Sequence, residues 1–460
     1  MRKLITILIV SILIAGLIGC EKYVSGFESD PLSPVDANAL KTFVGAELSY
    51  IVFVEGFPAY LSAIWAQQIY GADRQFTSYQ VYAVTSEDFN NDWSLAYTGA
   101  LSNLRVVQDK TAATGQLNLK GASEILEGLL MGTVAAVWGD VPYSEACQPP
   151  NYTPKYDPQL TVYSEVLKTL DQGIADFNAS ATPLAQDALS LAGSATKWVK
   201  LAHSAKARYL MHTARSQGYS AAILTQVINE ANLGILSLTG SEDAMMTHGT
   251  VQSGNQNLWY DFMVAARTGY MDAAVTFAVP MLQARRFDGK TNEAGRLAFY
   301  FNGTNLNTSA SGAYAINASY PAFRASETHL LLAEAYARQG QTASAITELN
   351  YARTYNNNVF HNTSQDFVAG DFPTSADLLQ AIFNETYLSL MHQIEAWNFL
   401  RRVDYAIAYK DSAGTTHAFA ATHGTVFPQR FVYSSTEAAS NPNQPVEPAN
   451  AQFNRTAANH

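Results

Sequence analysis

The chain has 460 residues, 48 % of them apolar, with a formal charge of −11 and a pI near 5.3. That length and apolar content suffice for a large hydrophobic core, built as one big domain or as two intimately packed ones. The acidic balance excludes the basic footprint of a nucleic-acid binder or of a protein held to anionic lipid by surface charge.

The chain opens on Met1, Arg2 and Lys3, followed by an unbroken run of apolar and small residues over 4–18 and then Gly19 and Cys20. This run is shorter than the about 20 residues that a bilayer-spanning helix needs. It has the form of a signal peptide over 1–19, and LIGC resembles the lipobox of bacterial lipoproteins, in which cleavage leaves a lipidated Cys20 at the new N-terminus. Glu21 is not the aspartate that retains lipoproteins at the inner membrane, so the outer membrane is the expected destination. Residues 20–34, with Gly26, Ser29, Pro31 and Pro34, read as a lipidated tether, and residues 35–460 as a single folded domain. With Cys20 modified, Cys147 has no disulfide partner and is expected to be a partly buried, inert thiol.

Helical periodicity runs through 34–72, where Leu40, Phe43, Val44, Leu48, Ile51 and Val52 recur at three- and four-residue spacing. Residues 75–88 lack that period and read as a loop. Asp92 has the position of a helix N-cap, leading a helix through Tyr97, Leu101, Leu104 and Val107. A second helix over 122–138 has so wide an apolar face that it must be buried, and Gly139 to Pro142 ends it. Further helices are expected near 162–177, 195–215, 220–229 and 271–286. Between them, 236–270 reads as a long loop insertion, and 287–319 as a loop with short strands. A helix pair follows over 375–403, and 441–460 reads as a surface-draped or poorly ordered tail.

Residues 320–353 carry the clearest pattern. With Ser326 as first position, Leu332, Ala333, Tyr336, Gly340, Ala345, Leu349 and Ala352 fall where the 34-residue tetratricopeptide repeat places its core. The small residues allow close helix approach, and Gly340 suits the tight turn between two antiparallel helices. One such hairpin cannot bury its own apolar face, so the rest of the chain must supply neighbours.

Several segments occur in the order of one known group: LIGC, DWSLAYTGALSNL at 92–104, LEGLLMGTVAAVWGDVPYSEA at 126–146, YPAFRASETHLLLAEAYARQG at 320–340, HQIEAWNFLRRVDY at 392–405 and PQRFVYSSTEAASNPN at 428–443. In this order they resemble the SusD/RagB family of nutrient-binding outer-membrane lipoproteins of Bacteroidota. The resemblance implies a mainly α-helical fold of four tetratricopeptide-type hairpins packed against a loop-rich region with few short strands. Insertions are then expected near 70–92, 236–270 and 287–319. It further implies capture of oligosaccharide, or in some branches peptide, at the cell surface for a SusC-like TonB-dependent transporter, without catalysis. The EAWNFLRR form, with Glu395 and Trp397, departs from the starch-binding prototype and leaves the ligand open.

Catalytic patterns are missing from the sequence. There is no HExxH or GxSxG, the nine histidines are scattered, and the glycine that a phosphate loop ending at Lys290 and Thr291 would require is Ala284. No enzyme activity, cofactor or metal site is expected. Glu395, Arg401, Arg402 and Asp404 read as helix-end ion pairs. A sugar site needs an aromatic platform with amide or guanidinium donors at its rim. Two irregular segments offer that mix: Arg74 with Phe76, Tyr79 and Tyr82, and Asn257 with Trp259, Tyr260 and Arg267. Each of these aromatics suits a core position equally well.

Overall fold

The computed structural model describes residues 37–180, 182–252, 254–284 and 289–460; the signal peptide, Cys20 and the tether lie outside the described residues. The chain is mainly helical. Helices α1 (Ala39–Glu55) and α2 (Phe57–Trp65) break at Gly56, where Pro58 fixes the start of the second. Then come α3 (Ser102–Thr114), α4 (Leu117–Trp138), α5 (Gln159–Ser180), α6 (Ala195–Ala214) and α7 (Ala221–Ala231). The last third holds α8 (Ala325–Arg338), α9 (Thr342–Phe360), α10 (Ser375–Ser389) and α11 (Ile394–Arg402). Strands are few and short, and all pair antiparallel: β1 (Tyr70–Gly71) with β3 (Met271–Asp272), β2 (Ala244–Met246) with β6 (Tyr320–Phe323), β4 (Phe301–Asn302) with β5 (Asn305–Leu306), and β7 (Ala408–Lys410) with β8 (Thr416–Ala418).

Helix α4 is the spine of the core. Every residue from Gly121 to Trp138 is buried, which its wide apolar face requires. Helices α5 and α6 approach it closely at glycines: a Cβ on Gly128 would come within 2.6 Å of Leu170, and one on Gly132 would enter the ring of Tyr209. That ring is held by its hydroxyl, which donates to the Leu129 carbonyl at 2.8 Å.

The repeat-like hairpin forms as its pattern requires. Gly340 takes φ of +75° between α8 and α9, and Leu330, Ala333, Ala345, Ile346, Leu349 and Ala352 close over Leu378 and Ile382 of α10. Deeper in, Arg402 forks onto Glu334 at 2.5 and 2.6 Å, and Arg338 joins the same carboxylate at 2.8 Å. Burial opposes the charge of Glu334, but the two guanidiniums outweigh it and hold the carboxyl down at about 2. The charged group of the EAWNFLRR stretch is thus structural: Glu395 meets His212 at 2.6 Å, Arg401 donates to the Ala136 and Gln429 carbonyls, and Asp404 pairs with Arg215 and Arg455.

Four expectations are corrected. Residues 75–88 hold a short helix, Gln75–Gln80, and a 3-10 turn, Ser86–Phe89. Among the described residues of the stretch 271–286, helix covers only Ala278–Gln283, because Met271 and Asp272 are drawn into the ladder with β1. The end of the chain packs rather than drapes: Ala451 and Ala458 are buried, and the Ala458 amide donates to Gln159. Asp92 is not a cap. It lies inside a continuous helix, Asn90–Ser94 running through a π turn, Leu95–Leu101, into α3, and capping falls to Thr85 and Asp88 at the preceding 3-10 turn. Asp92 is 2 % exposed, and burial pushes its carboxyl up to about 8.

Two outcomes follow from this packing. Gly132→Ala should lower stability by about 1–3 kcal/mol in a denaturant titration, since the Tyr209 ring cannot yield to the added methyl. For Asp92, the folded chain holds the proton more tightly than the unfolded one, so its contribution is intact below about pH 4 and falls as pH rises toward 8. Asp92→Asn should therefore melt like the parent near pH 4 and above it at pH 8.5, by a few kcal/mol at about 1.4 kcal/mol per unit of displacement; equal melting at both pH values would contradict the assignment.

Candidate functional site

The two segments singled out for ligand binding come together. The ladder of β1 with β3 sets Tyr70 opposite Asp272 and Gly71 opposite Met271, and the Ala72 amide donates to the Tyr270 carbonyl at 2.9 Å. Gln80 reaches back to accept from the Gly71 amide at 3.0 Å, which closes the Gln75–Gln80 turn over the ladder. Arg74 opens that turn at φ +52°, a conformation costly for a side chain with a Cβ and sustained by the structure around it.

Below this surface lie most of the aromatics named from sequence. Phe76 is 2 % exposed and packs on Tyr79, Phe262 and Tyr270 at 5.2, 5.1 and 6.0 Å between ring centroids. Tyr79 donates to Asp88 at 2.7 Å, and burial, with Asp88, pushes its phenol well above the ordinary range. The Tyr82 hydroxyl accepts from the Thr422 amide at 2.8 Å. Trp259 is fully buried, edge-on to Tyr60 at 4.6 Å and near Tyr314 and His392. Asn257 caps the turn that carries Trp259, accepting from the Tyr260 amide at 3.0 Å and donating to the Ala318 carbonyl at 3.0 Å. As seated, these five residues hold the surface from beneath and present no ring face to solvent.

What reaches the surface is a different subset. Arg74 and Arg267 are exposed and Tyr260 is half-buried. Two half-buried rings that were not chosen from the sequence as ligand contacts, Phe262 and Tyr270, lie 6.3 Å apart between centroids, with the Arg267 guanidinium 5.9 Å from the Tyr270 ring centroid. Arg74 lies 3.6 Å from Asp73, an exposed pair of little strength. A signal for Tyr270 was present in the Thr268-Gly269 turn just before it, but periodicity cannot tell a half-exposed ring from a buried one. Phe262 sits in a π turn, Asp261–Ala266, which single-sequence periodicity does not reveal.

The chemistry offered here is recognition. Half-buried rings provide apolar faces, and each guanidinium carries five hydrogen-bond donors. Among the described residues, no group of three His, Cys, Asp or Glu side chains is placed to hold a metal ion. The Cys147 thiol donates to the Tyr97 carbonyl at 3.4 Å and burial pushes it up to about 11, so it is a poor nucleophile.

A family model described as "Starch-binding associating with outer membrane", of the SusD-like group, matches residues 59–434. Solved structures share the fold. A SusD/RagB family protein from Bacteroides thetaiotaomicron superposes with a TM-score of 0.64 at 21 % identity, covering 89 % of this chain and 95 % of the other. A chitin-binding SusD homolog from Flavobacterium johnsoniae gives 0.69 at 16 % identity, over 91 % and 99 %. A SusD homolog from Bacteroides uniformis gives 0.68 at 18 % identity, over 92 % and 100 %. No curated protein sequence matches. With the family model spanning most of its length, the chain belongs to the SusD-like family.

Proposed function

We propose that this chain is a lipid-anchored binding protein on the outer face of the outer membrane, which captures oligosaccharide and delivers it to a SusC-like TonB-dependent transporter without catalysing any reaction on it. The observation that carries the reading is the pairing of the 70–82 and 257–272 segments, which brings half-buried Phe262 and Tyr270 within 6.3 Å of each other with exposed Arg267 beside Tyr270, while exposed Arg74 opens the turn next to the ladder and half-buried Tyr260 lies two residues before Phe262. Sugars have flat C–H faces and hydroxyl edges, and this surface has partners for both. The family's starch-binding description and the chitin-binding relative support a glycan over other ligands. In this proposal Phe76, Tyr79, Tyr82, Asn257 and Trp259 position the surface, and Arg74, Tyr260 and Arg267 touch the ligand together with Phe262 and Tyr270. The LIGC stretch ending at Cys20 supports the anchor.

Calorimetric titration of the full-length chain in detergent micelles with maltoheptaose and with chitohexaose tests the reading. At least one should bind, and Arg74→Ala and Tyr270→Ala should each weaken that binding about tenfold or more, the scale of one hydrogen bond to a charged group. Tyr351→Ala, on the exposed face of α9, should leave it unchanged. Binding of neither sugar, or full affinity in both site variants, would overturn the proposal. A TonB-dependent transporter should co-purify with the chain from its native membrane, and an eluate without one would contradict delivery.

A further inference from the structure

A second recess shares no residue with the surface described above. Its floor is the outer face of α10, at Gln380, Ala381 and Asn384; one wall is the stretch from Phe367 to Pro373, and the other is the β7–β8 hairpin. It encloses about 420 Å³, within the range of small-ligand sites.

Both walls are fixed to the scaffold. Asn350 of α9 brackets Phe367, donating to its carbonyl at 2.9 Å and accepting from its amide at 2.8 Å, while Arg353 lies 3.9 Å from the same ring. Lys290 ties down Asp371 at 2.6 Å, and Asp371 also accepts from the Val368 amide at 2.7 Å. On the other side, Asn384 donates to the Ala408 carbonyl at 2.7 Å and so pins β7 to α10. Tyr409 is clamped against His417, nearly parallel at 4.9 Å between centroids, and His417 is itself held by Asp411 at 2.8 Å. Phe372 stands edge-on to Phe367 at 5.1 Å. A recess whose rings are braced in this way loses little entropy on binding.

The polar groups left over indicate what would fit. Lys410 pairs with no carboxylate among the described residues, and neither the Thr416 hydroxyl nor the Gln380 side-chain oxygen has a partner there. By contrast, Asp371 and Asp377 are engaged, the first by Lys290 and the second as the partner of the Thr374 cap. Two half-buried rings with one ammonium, one hydroxyl and one amide oxygen suit a ligand with apolar ring faces and neutral hydroxyls at its edges.

We propose that this recess is a second saccharide-binding site, which takes a short neutral oligosaccharide over Tyr409 and Phe372 with hydroxyls directed at Gln380, Lys410 and Thr416. It does not depend on the first surface, and the two succeed or fail separately. Hydrogen exchange on the full-length chain in detergent micelles, with saturating maltotriose, chitotriose or cellotriose, reads both at once. At least one sugar should slow exchange severalfold in 372–384 and in 408–418. Tyr409→Ala should abolish that slowing, and Arg74→Ala should leave it intact. If Tyr409→Ala loosens the hairpin without sugar, the surface pair Lys410→Ala with Thr416→Ala decides instead, and should reduce the slowing. No change in the recess with any of the three sugars, or slowing that survives the deciding variant, would overturn the proposal whatever happens at Arg74.

Discussion

The burial of one tryptophan ties the chain together. Trp65, at the end of α2, is fully buried against Trp397 of α11 at 4.9 Å and Phe431 at 5.7 Å, with Tyr82 at 6.5 Å, and its indole N–H donates to the Tyr79 carbonyl at 3.1 Å. It thus joins the first helix pair, the last main helix, the segment that follows it and the turn beneath the candidate surface. The contacts continue from Phe431 to Phe89 at 4.8 Å and Trp138 at 5.6 Å, and from Trp138 to Trp93 at 5.2 Å and Phe53 at 6.0 Å. Each such pair adds about 0.5–1.5 kcal/mol beyond the area it buries. Much of the chain's aromatic content is therefore structural, and it fixes where the segments of the candidate surface emerge.

Buried charges set the orientation of the helices on this apolar frame. Arg208 of α6 forks onto Glu327 of α8 at 2.6 and 2.7 Å, and Arg296 joins Glu293 and Glu385 at 2.6 and 2.9 Å. Together with Arg402 and Glu334, they link helices distant in sequence. A buried pair adds little net stability, because desolvation offsets the attraction, yet loss of one partner strands the other charge at a cost of about 3–5 kcal/mol. The groups can be satisfied only when each helix sits opposite its partner, which favours one arrangement over its near neighbours.

The fold was more legible than the site. The hairpin at 325–360 could be read because Gly340 and the small residues Ala333, Ala345 and Ala352 each have one physical use in a tight helix pair. The spine α4 could be read because its apolar face is too wide for any exposed helix. Asp92 was misplaced because an aspartate before an apolar run has the same appearance as a cap, whether the helix starts there or has already begun. The 271–286 stretch was misread because the pull of β1 on Met271 and Asp272 is tertiary and leaves no local trace. The candidate site residues mark the sharper limit. Sequence composition picked the two segments that meet, but within them it favoured the largest rings, Phe76, Tyr79 and Trp259, and a folding chain buries those first. The half-exposed Phe262 and Tyr270 owe their position to neighbours that only the fold supplies.

A core of rings and paired charges holds two loop segments edge to edge, and under the proposed function the ligand meets only what those segments leave at the surface. A crystal structure of the full-length chain with a bound oligosaccharide tests this most directly. The account predicts a sugar ring against Tyr270 or Tyr260, with Arg74 and Arg267 within hydrogen-bond distance of its hydroxyls and Phe76, Tyr79 and Trp259 still buried beneath. A sugar bound with Arg74, Tyr260, Arg267 and Tyr270 all untouched, or one stacked on an everted Trp259, would contradict it.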